Sequence, residues 1–170
     1  MKFSRKTVLA MLVVALSFTA CKSDDDGGTS ASANGELTAK VDGQSYESMR
    51  EATTAEESNA GGVSTIAITG GSADSENIQF IIIGFDGEGT YQLNNINLGT
   101  YTYLADPGDY MSAVLFSTVT DGSSNGEINI SSYTPGENVQ GTFNFTGYNN
   151  QDISDTRVVS EGSFNVDIRN

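Results

Sequence analysis

The chain has 170 residues, with 22 Asp and Glu against eight Lys and Arg, a single cysteine, and neither histidine nor tryptophan. Three of the basic residues and none of the acidic ones precede Cys21, so the 150 residues that follow position 20 carry a formal charge of −17. Such a surface repels nucleic acids, and the lack of histidine excludes Ser-His-Asp and Cys-His catalysis and zinc sites that need histidine.

The first 20 residues have the pattern of a secretion signal. The basic residues Lys2, Arg5 and Lys6 are followed by an unbroken apolar run at residues 8–16. That run has nine residues, whereas a membrane-spanning helix needs about 20. The alternative, an uncleaved anchor helix, is therefore less favoured.

The only cysteine follows this signal directly and cannot form an internal disulfide. The segment Leu16-Ser17-Phe18-Thr19-Ala20-Cys21 resembles a lipobox, although Phe18 departs from the usual aliphatic or small residue. It predicts cleavage before Cys21 and lipid on the new N-terminal cysteine, which would anchor the protein stably because two or more acyl chains are attached. The alternative is ordinary secretion with an unmodified cysteine.

Residues 22–34 contain no aliphatic side chain larger than alanine, which predicts a flexible tether. The start of this tether resembles the acidic export signal of surface lipoproteins of Bacteroidota. Its residues are Lys22, Ser23, Asp24, Asp25 and Asp26. The resemblance implies an outer-membrane protein that faces the cell exterior. The alternative is a charged, solvated tether without an address function.

Residues 35–170 are predicted to form a single all-β domain, because turns rich in Gly separate runs of Val, Ile, Thr, Phe and Tyr. The predicted strands are residues 37–41, 44–48, 63–69, 77–85, 90–93, 100–104, 110–119, 127–133, 139–146 and 157–168. About ten strands at this spacing, without a long amphipathic helix, predict an antiparallel β-sandwich or a small barrel-like meander.

Two segments carry more specific expectations. Residues 49–59 are polar and rich in Ala and Glu, which predicts a loop or one or two helical turns. Residues 78–83 are the most apolar run after the signal and predict a central strand covered on both faces.

The best cation candidate is the loop Asp121-Gly122-Ser123-Ser124-Asn125-Gly126. Asp121, Ser123 and Asn125 follow the spacing of the first half of a calcium loop, but Ser132 stands where the closing glutamate is expected. The predicted flanks are strands instead of helices. A polar hairpin loop is the favoured alternative, because the same residue types form turns. Apart from this Ca²⁺ candidate, no cofactor is predicted.

Tyr101 and Tyr103 lie on the same face of one predicted strand and could form a platform for a glycan or peptide. The favoured alternative is that they cover the end of the core. Paired carboxylates are the remaining route to catalysis, as in glycoside hydrolysis. Because 22 acidic residues always allow such a pair to be chosen, the pattern does not predict an enzyme.

Several motifs occur in an order that resembles a family of uncharacterised Bacteroidota surface lipoproteins with a domain of unknown function. After the lipobox and acidic tether come LTAKVDGQSY at 37–46, GTYQL at 89–93, GTFNFT at 141–146 and EGSF at 161–164. The resemblance implies an exported β domain and assigns no catalytic or binding residue.

The sequence therefore favours a non-catalytic, lipid-anchored envelope lipoprotein that acts as a binding or structural module. Its partners would be the membrane, through the lipid, and an unidentified glycan or envelope protein, but not nucleic acid. One alternative is a carrier that holds an apolar or glycan ligand in a central cavity, and a second is a carboxylate-based hydrolase.

Overall fold

The computed structural model describes residues 33–120 and 122–169, and it confirms the all-β prediction. Within these residues the regular elements are β1 (Glu36–Val41), β2 (Gln44–Ala60), β3 (Val63–Ser72), β4 (Glu76–Ile83), β5 (Gly89–Gln92), β6 (Leu98–Leu104), a 3₁₀ helix (Tyr110–Ser112), β7 (Ala113–Ser117), β8 (Gly126–Thr134), β9 (Asn138–Asn149) and β10 (Thr156–Arg169). The described segments contain no helix whose length and apolar character would let it cross a bilayer.

The ten strands form one sheet that closes on itself in a barrel-like ring. β1 pairs with both β2 and β10, and β10 pairs with β9, so the ring runs β1-β2-β3-β4-β6-β7-β9-β10. β8 continues the pairing along β9 where β7 ends, and β5 pairs with the far side of β8. The pairings are antiparallel, apart from a two-residue parallel contact between β10 and β2.

One side chain connects β5 to β4, on the side of β5 that β8 leaves unpaired. Asn97 Oδ1 accepts a hydrogen bond from the Ile83 amide at 3.1 Å, and Asn97 Nδ2 donates to the Gln92 carbonyl at 3.3 Å. Unpaired strand edges invite pairing with other chains. The Asn97 side-chain amide thus pairs one backbone carbonyl at the end of β5 and one backbone amide at the end of β4.

The interior of the ring is filled by a single cluster of apolar side chains. Phe80 lies at its centre, 4.7 Å from Phe143 and 5.8 Å from Phe145 between ring centroids, and Phe143 stacks on Phe164 at 6.2 Å. The largest fully buried side chains are Phe80, Phe116, Phe164, Leu37, Ile66, Ile68, Ile78, Ile82, Leu93, Ile128, Ile130 and Val139.

Two glycines make this aromatic packing possible. Phe143 on β9 lies opposite Gly162 on β10, and Phe164 on β10 lies opposite Gly141 on β9. A Cβ at Gly162 would collide with the ring of Phe143, and a Cβ at Gly141 would collide with the Asn129 carbonyl oxygen and lie 2.7 Å from Phe164 Cζ. Each ring therefore covers the bare backbone of the strand opposite.

The prediction of a loop or helical turns at residues 49–59 is wrong, because β2 runs without interruption through this segment. The pairing of β2 with β3 shifts register between Ser48 and Thr53, which marks a bulge. The buried positions are Tyr46 and Ser48 before the bulge and Thr53 and Ala55 after it. The bulge interrupts the alternation of buried and exposed residues, so the sequence pattern does not indicate one continuous strand. The hydrogen bonds that β2 makes with β3 outweigh the helical preference of its Ala and Glu residues.

The prediction that β4 is covered on both faces is also wrong. Ile78, Phe80 and Ile82 are fully buried, whereas Ile83 is 49% exposed. A closed ring has only one inner face, so the alternate side chains of an unbroken apolar run must point outward.

The predicted strand at residues 110–119 is shorter than expected. Its first part forms the 3₁₀ helix, in which Tyr110 is 86% exposed, and only β7 pairs with its neighbours. Asp109 accepts a hydrogen bond from the Met111 amide at 2.8 Å and caps this turn. A capping aspartate favours a helical turn over extension of the strand.

We expect Gly162→Ala and Gly141→Ala to lower the free energy of unfolding by about 1–3 kcal/mol, because the added methyl group overpacks the aromatic cluster and, at position 141, also meets the Asn129 carbonyl. Gly108→Ala in the exposed loop before the 3₁₀ helix should change it by less than about 0.5 kcal/mol. Urea unfolding followed by circular dichroism measures all three. Equal stability of Gly162→Ala and the unsubstituted protein would contradict this account of the core.

Candidate functional site

Several predicted site residues lie outside the described residues. These are the lipidation residue Cys21, the export-signal residues Lys22, Ser23, Asp24, Asp25 and Asp26, and Asp121 of the candidate calcium loop. The structure therefore bears only on Ser123, Asn125, Tyr101 and Tyr103.

Asn125 organises its loop through its own amide group. Asn125 Nδ2 lies 2.8 Å from the Thr118 carbonyl and 2.8 Å from Thr120 Oγ1, and its backbone amide donates to the Leu93 carbonyl. The loop joins two strands, β7 and β8. Within residues 33–120 and 122–169 no three His, Cys, Asp or Glu side chains are grouped in a way that could hold a metal ion.

The structure places Tyr101 and Tyr103 at one end of the core. Tyr101 is 4% exposed, and its hydroxyl donates to Glu76 Oε1 at 2.6 Å. Tyr103 is partly buried and stacks on Phe116 with 6.2 Å between ring centroids. Burial, followed by the hydrogen bond to the Glu76 carboxylate, raises the pKa of Tyr101 above its ordinary value. Tyr101 thus covers one end of the core and does not present an open ring face on which a ligand could stack.

A concave site of about 390 Å³ lies at the opposite end of the ring. We call it the mouth pocket and define it by Glu57, Asn59, Ser64, Phe85, Asp86 and Tyr133. β2 and β3 supply one wall, the connection from β4 to β5 supplies the second, and the end of β8 supplies Tyr133. Its residues come from four separate parts of the chain, which only the closed ring brings together.

Hydrogen bonds hold the connection between β4 and β5 in place. The amides of Gly84 and Phe85 both donate to the Ser64 carbonyl, at 2.8 and 3.0 Å. The Tyr91 hydroxyl lies 2.7 Å from Asp86 Oδ1 and 2.8 Å from the Gly87 carbonyl, and it accepts from the Asp86 amide at 3.2 Å. This network positions the Asp86 carboxylate at the rim of the pocket.

Aromatic rings line the floor of the pocket. Phe85 is buried and meets the ring of Tyr133 edge-on at 4.9 Å and the ring of Tyr91 at 5.7 Å. Aromatic pairs in this geometry pack favourably through their quadrupoles. Burial, followed by a hydrogen bond to the Glu57 carboxylate, raises the pKa of Tyr133 to about 12, so the phenol stays neutral at physiological pH.

Glu57 is the most unusual group in the pocket. Its Oε1 atom is buried and has no hydrogen-bond partner within the described residues. A buried carboxylate oxygen without a donor is costly, because the water that it loses is not replaced. No Lys or Arg is found among the described residues that line the pocket, which therefore has two carboxylates and no lining cation.

Sequence reasoning did not identify this pocket. Glu57 falls in the segment that was predicted to be a loop or helical turns, and Phe85 falls at the end of a predicted strand. The one available signal was the acidic and glycine-rich stretch Asp86-Gly87-Glu88-Gly89, which directly follows Phe85 and predicts a turn.

The family comparison agrees with the extent of the described fold. The profile of a protein family named "Domain of unknown function (DUF6252)" matches residues 33–166, which reach from the start of the described structure into β10. The chain belongs to that family. The matched segment includes every residue that lines the mouth pocket, and the family description gives no activity. A search of curated proteins and a search of solved structures each find no match.

We expect the stability of the DUF6252 domain to fall as the pH rises above 10. Burial raises the pKa values of Tyr46 and Tyr101 above the ordinary 10.0, so both contribute stability while the phenols are neutral. That contribution is complete below the unfolded-state pKa and is lost as the pH climbs through the folded-state values.

Urea midpoints measured at several alkaline pH values test this expectation. Tyr101→Phe loses the hydrogen bond to Glu76, so its free energy of unfolding at neutral pH should be lower by about 1 kcal/mol. Because the variant also lacks one titrating phenol, its urea midpoint should decline less steeply as the pH rises. Tyr110→Phe, on an exposed side chain, should follow the unsubstituted protein. A steeper decline for Tyr101→Phe would contradict the assignment.

Proposed function

We propose that this protein is a non-catalytic lipoprotein of the Bacteroidota cell envelope, anchored in the outer membrane through Cys21, facing the exterior and acting as a binding module. One observation carries the binding role: a concave pocket with aromatic and acidic walls lies at one end of a ring whose interior is filled. The anchor rests on the signal-like residues 1–20 and on the position of Cys21 directly after them.

The tether gives the domain freedom from the membrane. The predicted tether, residues 22–34, lies between Cys21 and the first strand, which begins at Glu36. Thirteen residues reach at most about 45 Å when fully extended. A domain on such a tether can turn its pocket toward partners outside the cell.

The packed interior favours this proposal over the carrier alternative. A central cavity for an apolar or glycan ligand would need inward residues that line open space. In the described residues the inward side chains instead contact one another, with Phe80, Phe143, Phe145 and Phe164 filling the centre. A ligand is better accommodated at the mouth of the ring than inside it.

The hydrolase alternative has one feature in its favour, because Glu57 and Asp86 line the same concave pocket. Glycoside hydrolysis uses two carboxylates that flank the bond to be cleaved. Against this role, the Asp86 carboxylate is already bound by the Tyr91 hydroxyl. Turnover of a panel of chromogenic glycosides, abolished by Asp86→Asn, would favour the hydrolase over the binding module.

For the anchor, we expect Cys21→Ala to leave the protein without lipid and to release it from membranes, because the thiol is the predicted attachment point. Fractionation of cells labelled with a fatty-acid analogue measures both effects. Cys21→Ala protein that stays with the membranes and still incorporates the label would overturn the proposal.

For the orientation, we expect replacement of Asp24, Asp25 and Asp26 by alanine to preserve lipidation but to lower exposure on the cell surface. Accessibility to external protease in intact cells measures this exposure. Replacement of Ser30 and Ser32, which lie in the same tether and carry no charge, is the matched control. Unchanged accessibility would reduce the acidic residues to a solvated part of the tether.

A further inference from the structure

We propose that the mouth pocket binds a primary ammonium group, carried by a free amine or by a lysine side chain of a partner protein. This inference deepens the proposed binding function and rests on it. The pocket combines a buried carboxylate oxygen that lacks a donor, a second carboxylate at the rim and an aromatic floor.

Charge is the first argument. Glu57 and Asp86 line a pocket in which the described residues supply neither lysine nor arginine. Lys40, Arg50 and Arg157 form salt bridges with acidic residues outside the pocket. The exposed Arg169 of β10 lies opposite Glu56 of β2, next to Glu57, but does not line the pocket. A cationic ligand would supply the charge that the pocket lacks.

Hydrogen bonding is the second argument. Glu57 Oε1 has no donor within the described part of the chain, whereas Asp86 Oδ1 lies 2.7 Å from the Tyr91 hydroxyl. An ammonium group has three donors and no acceptor. Its three donors suit a pocket that is lined by the carboxylates of Glu57 and Asp86, and it has no acceptor of its own that would stay unpaired. Hydrogen bonds between charged groups are about twice as strong as those between neutral ones.

The aromatic floor of the pocket is the third argument. Phe85 and Tyr133 contact each other edge-on beside the carboxylates. The face of an aromatic ring attracts cations within about 6 Å of its centroid. Because the pKa of Tyr133 is about 12, its ring remains a neutral phenol and its hydroxyl keeps a proton at physiological pH.

The composition of the pocket favours an ammonium group over a bare metal ion. Calcium takes about six to eight oxygen ligands. The described residues contain no group of three or more His, Cys, Asp or Glu side chains that could hold a metal. The volume of about 390 Å³ is at the small end of ligand pockets and suits an aminoalkyl chain or one amino sugar ring.

Titration of the full-length, ¹⁵N-labelled protein tests the proposal, with putrescine, glucosamine and Nα-acetyl-lysine methylamide as probes and glucose as the neutral match for glucosamine. We expect the amines to shift the amide signals of Glu57, Asp86 and Tyr133, and glucose to leave them unchanged. Binding should weaken as salt is added, because the attraction between charges is screened.

Two pairs of variants separate the site from the general acidity of the protein. Glu57→Gln should lower the affinity for the amines about tenfold, whereas Glu56→Gln, an exposed neighbour with the same charge change, should not. Tyr133→Leu should lower the affinity about threefold, and Tyr133→Phe, which keeps the ring face, should lower it less. Urea midpoints of the four variants confirm that each is folded.

The outcomes divide clearly. Tighter binding of the lysine probe assigns a partner protein, and tighter binding of putrescine or glucosamine assigns a free amine; both support the proposal. No shift with any amine, an equal response to glucose, an equal loss in Glu56→Gln, or displacement of the amines by Ca²⁺ at equal concentration would each overturn it. If none of the amines shifts the amide signals while Cys21→Ala still releases the protein from membranes, the lipoprotein proposal stands and only the ammonium site is overturned.

Discussion

The closed ring depends on the exchange of aromatic rings and glycines between β9 and β10. Phe143 covers Gly162, and Phe164 covers Gly141, so two large rings fit between strands that lie at ordinary sheet distance. Phe80 on β4 then packs against Phe143 and Phe145 from across the ring. This contact joins opposite walls of the sheet, and it explains why the strands close into a ring around one filled core.

Irregularities elsewhere in the sheet follow from that closure. β10 shifts register against β9 between Val159 and Gly162, and Glu161 in this bulge has a φ of 52°. The shift brings Gly162 opposite Phe143, as the core requires. A second bulge in β2 changes which face of the strand points inward, so that Tyr46 and Ala55, at positions of opposite parity, are both buried. Bulges bend and twist strands, which a small closed sheet needs.

The two ends of the ring have different chemical character. At one end, Tyr101 donates to Glu76, Tyr46 donates to the Gly70 carbonyl, and Arg157 lies 4.5 Å from the centroid of Phe116, so polar groups are paired and the core is covered. At the other end, the mouth pocket retains a carboxylate oxygen without a donor. Among the side chains of residues 33–120 and 122–169, Glu57 Oε1 is the buried polar atom without a partner, which is why the ligand site is proposed at this end.

The sequence by itself determined the fold class, most strand positions and the candidate anchor. Alternation of apolar and polar residues, and turn residues such as Asp42-Gly43, whose φ angles are 49° and 82°, act over a few neighbouring positions and can be recognised without the fold. The continuous β2, the single buried face of β4 and the mouth pocket depended on the tertiary structure. A bulge interrupts the period that identifies a strand, and ring closure alone sets which face is inside. The pocket joins Glu57, Phe85 and Tyr133 across up to 76 positions of the chain, a contact that no local pattern encodes.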